Sequence, residues 1–119
     1  MAADCLFCRI VAGKEPSERV GADDGVIAIR DLFPRAPVHV LIIPEQHLAS
    51  AHELTDAHGD LLSSCFRLAR RVADDLGIAG GYRVTTNVGT GGGQAIPHLH
   101  FHVLGGRQLA HIDSGDPPS

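Results

Sequence analysis

The stretch Pro97-His98-Leu99-His100-Phe101-His102-Val103-Leu104 sets three histidines at strict period two against an apolar row. Successive side chains of a strand leave on opposite faces. The spacing therefore predicts a strand over Leu99 to Leu104, with His98, His100 and His102 projecting together and Leu99, Phe101 and Val103 turned into a core. A lone histidine there would read as a polar residue on a wet face, whereas three side by side read as a site. Imidazole, with an ordinary pKa of ~6.5, is largely neutral and nucleophilic near pH 7, and it donates a proton once charged. Three neighbours can divide the labour among a nucleophile, a group that orients it and a group that hydrogen-bonds a phosphate or leaving group. Metal binding is the rival use.

The loop just upstream, from Asn87 through Gly89-Thr-Gly-Gly-Gly93 to Gln94, Ala95 and Pro97, suits a phosphoryl site. Glycines let backbone N–H groups approach an anion closely, and Asn87 and Gln94 carry donors for phosphoryl oxygens. By itself such a loop reads as a connector; its place directly before the histidine row makes it a phosphate contact.

Working outward, the chain reads as α+β with a five-stranded, mainly antiparallel sheet, one long helix and one short one. Cys5 to Ala12 predicts the short helix, stopped at Gly13. Arg19–Ala22 and Val26–Arg30 flank an Asp23-Asp24-Gly25 turn and predict a hairpin. His39 to Ile43 is a β-branched strand closed by Pro44. From Asp56 to Leu76 apolar residues recur every three or four positions, which predicts the long helix, with Thr55 as N-cap, Gly77 as stop and Cys65 on the buried face. Tyr82 to Asn87 supplies another strand. Residues 113–119, rich in Pro, Gly, Ser and Asp, read as a flexible tail.

The 119 residues match one domain, 44% of them hydrophobic, and the net charge of −4 argues against a nucleic-acid partner. Arg67, Arg70 and Arg71 read as a solvated helix face. The longest apolar run is far too short for a bilayer, and Met1 to Asp4 does not open a signal peptide, so a soluble cytoplasmic protein with no membrane partner is expected. Cys5-Leu-Phe-Cys8 has the spacing of a metal clip or a redox pair.

The pattern His98 through Leu104, with φ for an apolar residue H-φ-H-φ-H-φ-φ, resembles the histidine-triad (HIT) superfamily, and specifically its HINT-like branch. Asp31-Leu32 with Pro34-Arg-Ala-Pro37, then His39-Val-Leu-Ile-Ile-Pro44 and His47, are similar to the family's nucleoside-binding segment and the strand after it. Tyr82 to Asn87, Gly-Gly-Gln94 and His102-Val-Leu-Gly-Gly-Arg107 match as well, so the resemblance spans about Cys5 to Arg107. It implies hydrolysis of purine nucleoside phosphoramidates or related AMP derivatives through a nucleotidyl-histidine at His100. His98 and His102 would orient the nucleophile and contact the phosphate. Asn87, Gln94 and the backbone of Gly93 and Ala95 would complete the anion site. Asp31 would hold the ribose hydroxyls, and Phe7, Ile10, Ile29 and Leu32 would wall the purine. Dinucleoside polyphosphate cleavage, or nucleotide binding by a zinc module with little turnover, are the alternatives. The branch commonly has a serine where this chain has Ala95, and its animal members have a C-terminal tryptophan that is missing here.

The resemblance to bacterial members with Cys-x-x-Cys implies a structural zinc, one per chain, on Cys5, Cys8, His47 and His98, with His39 as the substitute for His47. Two thiolates and two imidazoles fill a tetrahedron, a closed site that activates no water. No organic cofactor is implied. AMP, GMP or their phosphoramidates are the expected ligands, and a homodimer joined edge to edge is the expected assembly. His52, His58 and His111 read as solvent-exposed.

Overall fold

Val26-Ile-Ala-Ile-Arg30 and Val38-His-Val-Leu-Ile-Ile-Pro44 pair antiparallel, and nearly every residue in them is buried, so both faces of the central sheet are covered. The computed structural model describes residues 4–112, and the expected tail, 113–119, lies outside the described residues. The elements run α1 (Leu6–Val11), β1 (Arg19–Asp23), β2 (Val26–Arg30), β3 (Val38–Pro44), α2 (Gly59–Asp75), β4 (Tyr82–Thr85) and β5 (Phe101–Gly105). They build one five-stranded sheet in the order β1-β2-β3-β5-β4, with every neighbouring pair antiparallel.

Strand alternation divides the core in two. Val26, Ala28, Val40, Ile42, Phe101 and Val103 face α2 and pack on Cys65, Leu68, Ala69 and Val72. Ile27, Ile29, Leu41 and Ile43 take the other face and meet Cys5, Phe7 and Ile10 of the α1 segment. Truncating a fully buried member such as Ile42 to alanine would cost ~2–5 kcal/mol through lost burial and a cavity. On the α1 face, the β3–β5 register sets His39 opposite Leu104 and Leu41 opposite His102. Thr85 of β4 faces His102 from the far side. Here the sheet face changes from hydrocarbon to imidazole.

Several boundaries differ from the sequence reading. The last strand begins at Phe101 because the Leu99 N–H donates to the Leu48 carbonyl instead of to the sheet. The strand before it ends at Thr85, and the Thr86 hydroxyl donates to the His100 carbonyl. Thr55 caps a 3₁₀ turn, Asp56–His58, that precedes α2. His58 belongs to that cap, accepting from the Thr55 N–H through Nδ1, so it is not simply a solvated histidine. Arg67 and Arg71 lie on the exposed face of the helix, as expected, and from there both also grip Asp23 on β1 and tie the hairpin to the helix. Those guanidiniums hold the Asp23 carboxyl well below the usual carboxylate range. No helix among the described residues is long and apolar enough to cross a membrane.

Candidate active site and metal cluster

The histidines do project on one face, but as a buried row and not a wet one. His98 is fully buried and His100 nearly so. The Phe7 ring stands edge-on to both, its centroid 5.0 Å from that of His100.

Three of the rings are oriented by a backbone group, which sets where the proton sits, and the fourth, His102, is oriented by the His39 ring. His100 Nδ1 lies 2.7 Å from the His98 carbonyl oxygen, which can only accept. The neutral ring therefore donates through Nδ1 and carries its lone pair on Nε2. His98 Nε2 donates to the Pro44 carbonyl at 2.8 Å, which leaves its lone pair on Nδ1. His39 is held the opposite way: the Arg35 N–H donates to its Nδ1 at 3.1 Å, so the ring proton sits on Nε2. That Nε2 donates to His102 Nδ1 at 2.9 Å, and the neutral His102 presents an Nε2 N–H.

Burial pushes the pKa values of His39, His98 and His100 below the ordinary imidazole range. Burial, followed by the cationic forms of His100 and His39 and by Arg35, lowers His102 to about 4. All four rings are thus neutral near pH 7, the state a nucleophile requires.

His100 and His102 open into a cavity of about 630 Å³ whose lining includes Phe7, Asp31, Asn87, Gly93 and Ala95. Among the further members of that lining to which the sequence reading gave no individual role are Phe33, Arg35, Thr85 and Ile112. Ile10 and Ile29 are instead core residues, and Leu32, 83% exposed, is not part of the lining.

The glycine loop also differs from expectation. Gln94 is spent on holding the loop: its Oε1 accepts from Gly89 N–H, and its Nε2 donates to the carbonyls of Ala49 and Ile96. The Gly93 N–H is used by the Thr90 carbonyl. The Asn87 side-chain amide and the Ala95 N–H make no hydrogen bond among the described residues, and their residues line the cavity together with His102.

At the other end of the row, Cys5, Cys8, His47 and His98 place one ligand atom each within 4.8 Å of one another. His98 Nδ1 is 3.3 Å from Cys5 Sγ, 3.5 Å from Cys8 Sγ and 3.1 Å from His47 Nδ1, while Cys8 Sγ is 3.3 Å from His47 Nδ1. A tetrahedron with bonds of ~2.0–2.3 Å has edges of about 3.3–3.8 Å, so the four groups could hold a metal ion. The Pro44 carbonyl supports this by holding the His98 proton on the far nitrogen. Burial and the neighbouring Cys5 thiol push the Cys8 thiol upward, a crowding that a cation would relieve.

Asp31, His39 and His102 also cluster within 4.8 Å. The His39 nitrogen facing that group carries a proton that it donates to His102, with the Asp31 carboxylate 3.4 Å away, so His39 belongs to this trio and not to the thiol cluster.

The HIT domain family profile matches residues 12–109. This chain belongs to the HIT domain family. A HIT-like protein of Synechococcus elongatus is 42% identical to it over 92% of this chain and 96% of its own length. The HIT fold is seen in a HIT family hydrolase from Clostridium thermocellum, 45% identical, covering 90% of this chain and 94% of that one with a TM-score of 0.87. A HIT family hydrolase from Legionella pneumophila is 41% identical, covers 91% and 97%, and has a TM-score of 0.88.

Proposed function

We propose that this HIT protein is a hydrolase of nucleoside monophosphate derivatives, AMP or GMP phosphoramidates and related compounds, and that His100 Nε2 is its nucleophile. The observation that carries the reading is the 2.7 Å contact of His100 Nδ1 with the His98 carbonyl in a ring that lines the cavity. It leaves the Nε2 lone pair for attack and stabilises the positive charge the ring acquires as the P–Nε2 bond forms. The bond from phosphorus to the leaving group breaks, and the leaving amine departs with a proton taken up from water. Water then attacks the nucleotidyl-imidazolium, AMP is released, and the neutral ring is restored.

The Asn87 amide, the Ala95 N–H and the His102 N–H donate to phosphoryl oxygens. Phe7 walls the base, and Asp31 accepts from ribose hydroxyls. Cys5, Cys8, His47 and His98 would hold one structural zinc, which binds the α1 segment to the histidine row and does no acid–base chemistry. The whole chain forms a single HIT domain that pairs edge to edge with a second copy, in the cytoplasm, where its free cysteines stay reduced.

The test is rapid quench of the protein with an adenosine phosphoramidate, followed by intact-mass and peptide analysis. An AMP-sized adduct on His100 is expected. Nucleotide binding with neither adduct nor turnover would overturn the reading in favour of a binding module.

A further inference from the structure

The cavity holds one carboxylate and one guanidinium, and they are in opposite states. Asp31 is occupied: its Oδ1 accepts from the Phe33 N–H at 2.8 Å, and its Oδ2 lies 3.4 Å from His39 Nε2. Arg35 is held by its backbone alone. Its N–H donates to His39, and its carbonyl accepts from the Arg107 guanidinium at 2.7 Å. Arg107 is brought there by Gly106, whose φ of +96° turns the chain leaving β5 back over Pro37.

The Arg35 guanidinium makes no hydrogen bond and no ion pair among the described residues, yet it lines the cavity and its charge reaches both His39 and His102. A cation with a rigid backbone and five unused donors at the wall of a cavity is a receptor for an oxyanion.

We propose that Arg35 is a specificity-determining residue that selects nucleotides bearing a second anionic group beyond the α-phosphate. This rests on the nucleotide reading above and deepens it. The α-phosphate already has the donors of Asn87, Ala95 and His102, whereas Arg35 lies by Asp31, His39 and Leu104, at the far end of the row from the thiol cluster. The second anion sits either on the ribose, beside Asp31, or on the group leaving the α-phosphorus; both present a phosphate-like oxyanion to the same guanidinium.

The experiment is calorimetric binding of AMP, adenosine 3′,5′-bisphosphate and ADP to the full chain and to its R35Q and R35K variants. Wild type is expected to prefer one of the two doubly phosphorylated ligands over AMP by about tenfold, the scale of one charge-assisted hydrogen bond. Preference for the bisphosphate assigns the ribose source, and preference for ADP the leaving-group source. In R35Q the ratio over AMP should collapse toward one, and R35K should keep part of it and lose it as salt rises. Because the side chain has no partner to lose and its backbone N–H remains, folding and the His39 contact survive the change. Equal binding of all three ligands by wild type, or a ratio unchanged in R35Q, overturns the inference and leaves the nucleotide reading standing. Failure of all three ligands to bind overturns both.

Discussion

The two ends of the histidine row are built from the same side chain and are prepared for opposite tasks. At the thiol end, a backbone carbonyl, that of Pro44, draws the His98 proton outward, so its lone pair converges with those of His47, Cys5 and Cys8. At the cavity end a backbone N–H, that of Arg35, occupies the outer nitrogen of His39, so its proton points inward to His102. A lone pair turned inward suits a metal, and a proton turned inward suits a hydrogen-bond relay. His100 stands between them and draws its orientation from the thiol end, through the His98 carbonyl. For His98, His100 and His39 the imidazole chemistry is set by which half of a peptide group lies behind the ring, and His102 takes its tautomer from His39.

The comparison can be broken most severely at its centre. His100→Ala should lower turnover by about 10³-fold or more while metal content stays at the wild-type level, because the proposed nucleophile is lost and the cluster is untouched. Steady-state kinetics with an adenosine phosphoramidate, paired with metal analysis, would check it.

Cys8→Ser strikes the thiol end. Metal content should fall well below one ion per chain, with stability reduced by several kcal/mol, readable as a lower melting temperature that chelator reproduces in wild type. Retention of a full ion would remove the Cys2His2 assignment.

His39→Ala strikes the relay. Without a donor to its Nδ1, His102 is free to rotate and to exchange tautomers, and kcat should drop by about 10–100-fold with metal content unchanged. An equal fall in metal content would show that the two ends are not separable.

Acid offers the mildest perturbation. His102 has a folded pKa of about 4, against 6.5 for the ordinary group, so between those values the unfolded chain binds more protons than the folded one. Its contribution is intact above pH 6.5 and is lost progressively as pH falls toward 4. Discounted for partial exposure, the loss is on the order of 2 kcal/mol. Denaturant melts at pH 7 and pH 5 would register it. His102→Asn should flatten that slope; an unchanged slope would assign it to the other buried rings.

Where the sequence reading succeeded, the signal was periodic. Period two located the histidine row, and period three to four located α2 with Cys65 buried, because each pattern is the geometry of its own element. Where it failed, the cause lay in contacts between segments distant along the chain. Gln94 carries donors that suit a phosphate, but the carbonyl of Ala49, 45 residues away, and that of neighbouring Ile96 claim them. Arg67 and Arg71 are exposed on α2, as read, but nothing along the helix revealed their grip on Asp23 of β1. Leu32 has the chemistry of a purine wall and yet is not part of the lining, Arg35 lines the cavity within the Pro34-Arg-Ala-Pro37 segment that the resemblance tied to the nucleoside, and Ile112 lines it without any pattern to announce it.

Side-chain type and local period are written along the chain, and they were enough for the α+β class and the imidazole row, while the composition of the thiol cluster came from the resemblance to members with Cys-x-x-Cys. Tautomer, depressed pKa and the line between lining and core were decided only by tertiary structure. Those properties depend on which carbonyl or amide arrives from another strand and on how much water it displaces, and neither is a property of any segment alone.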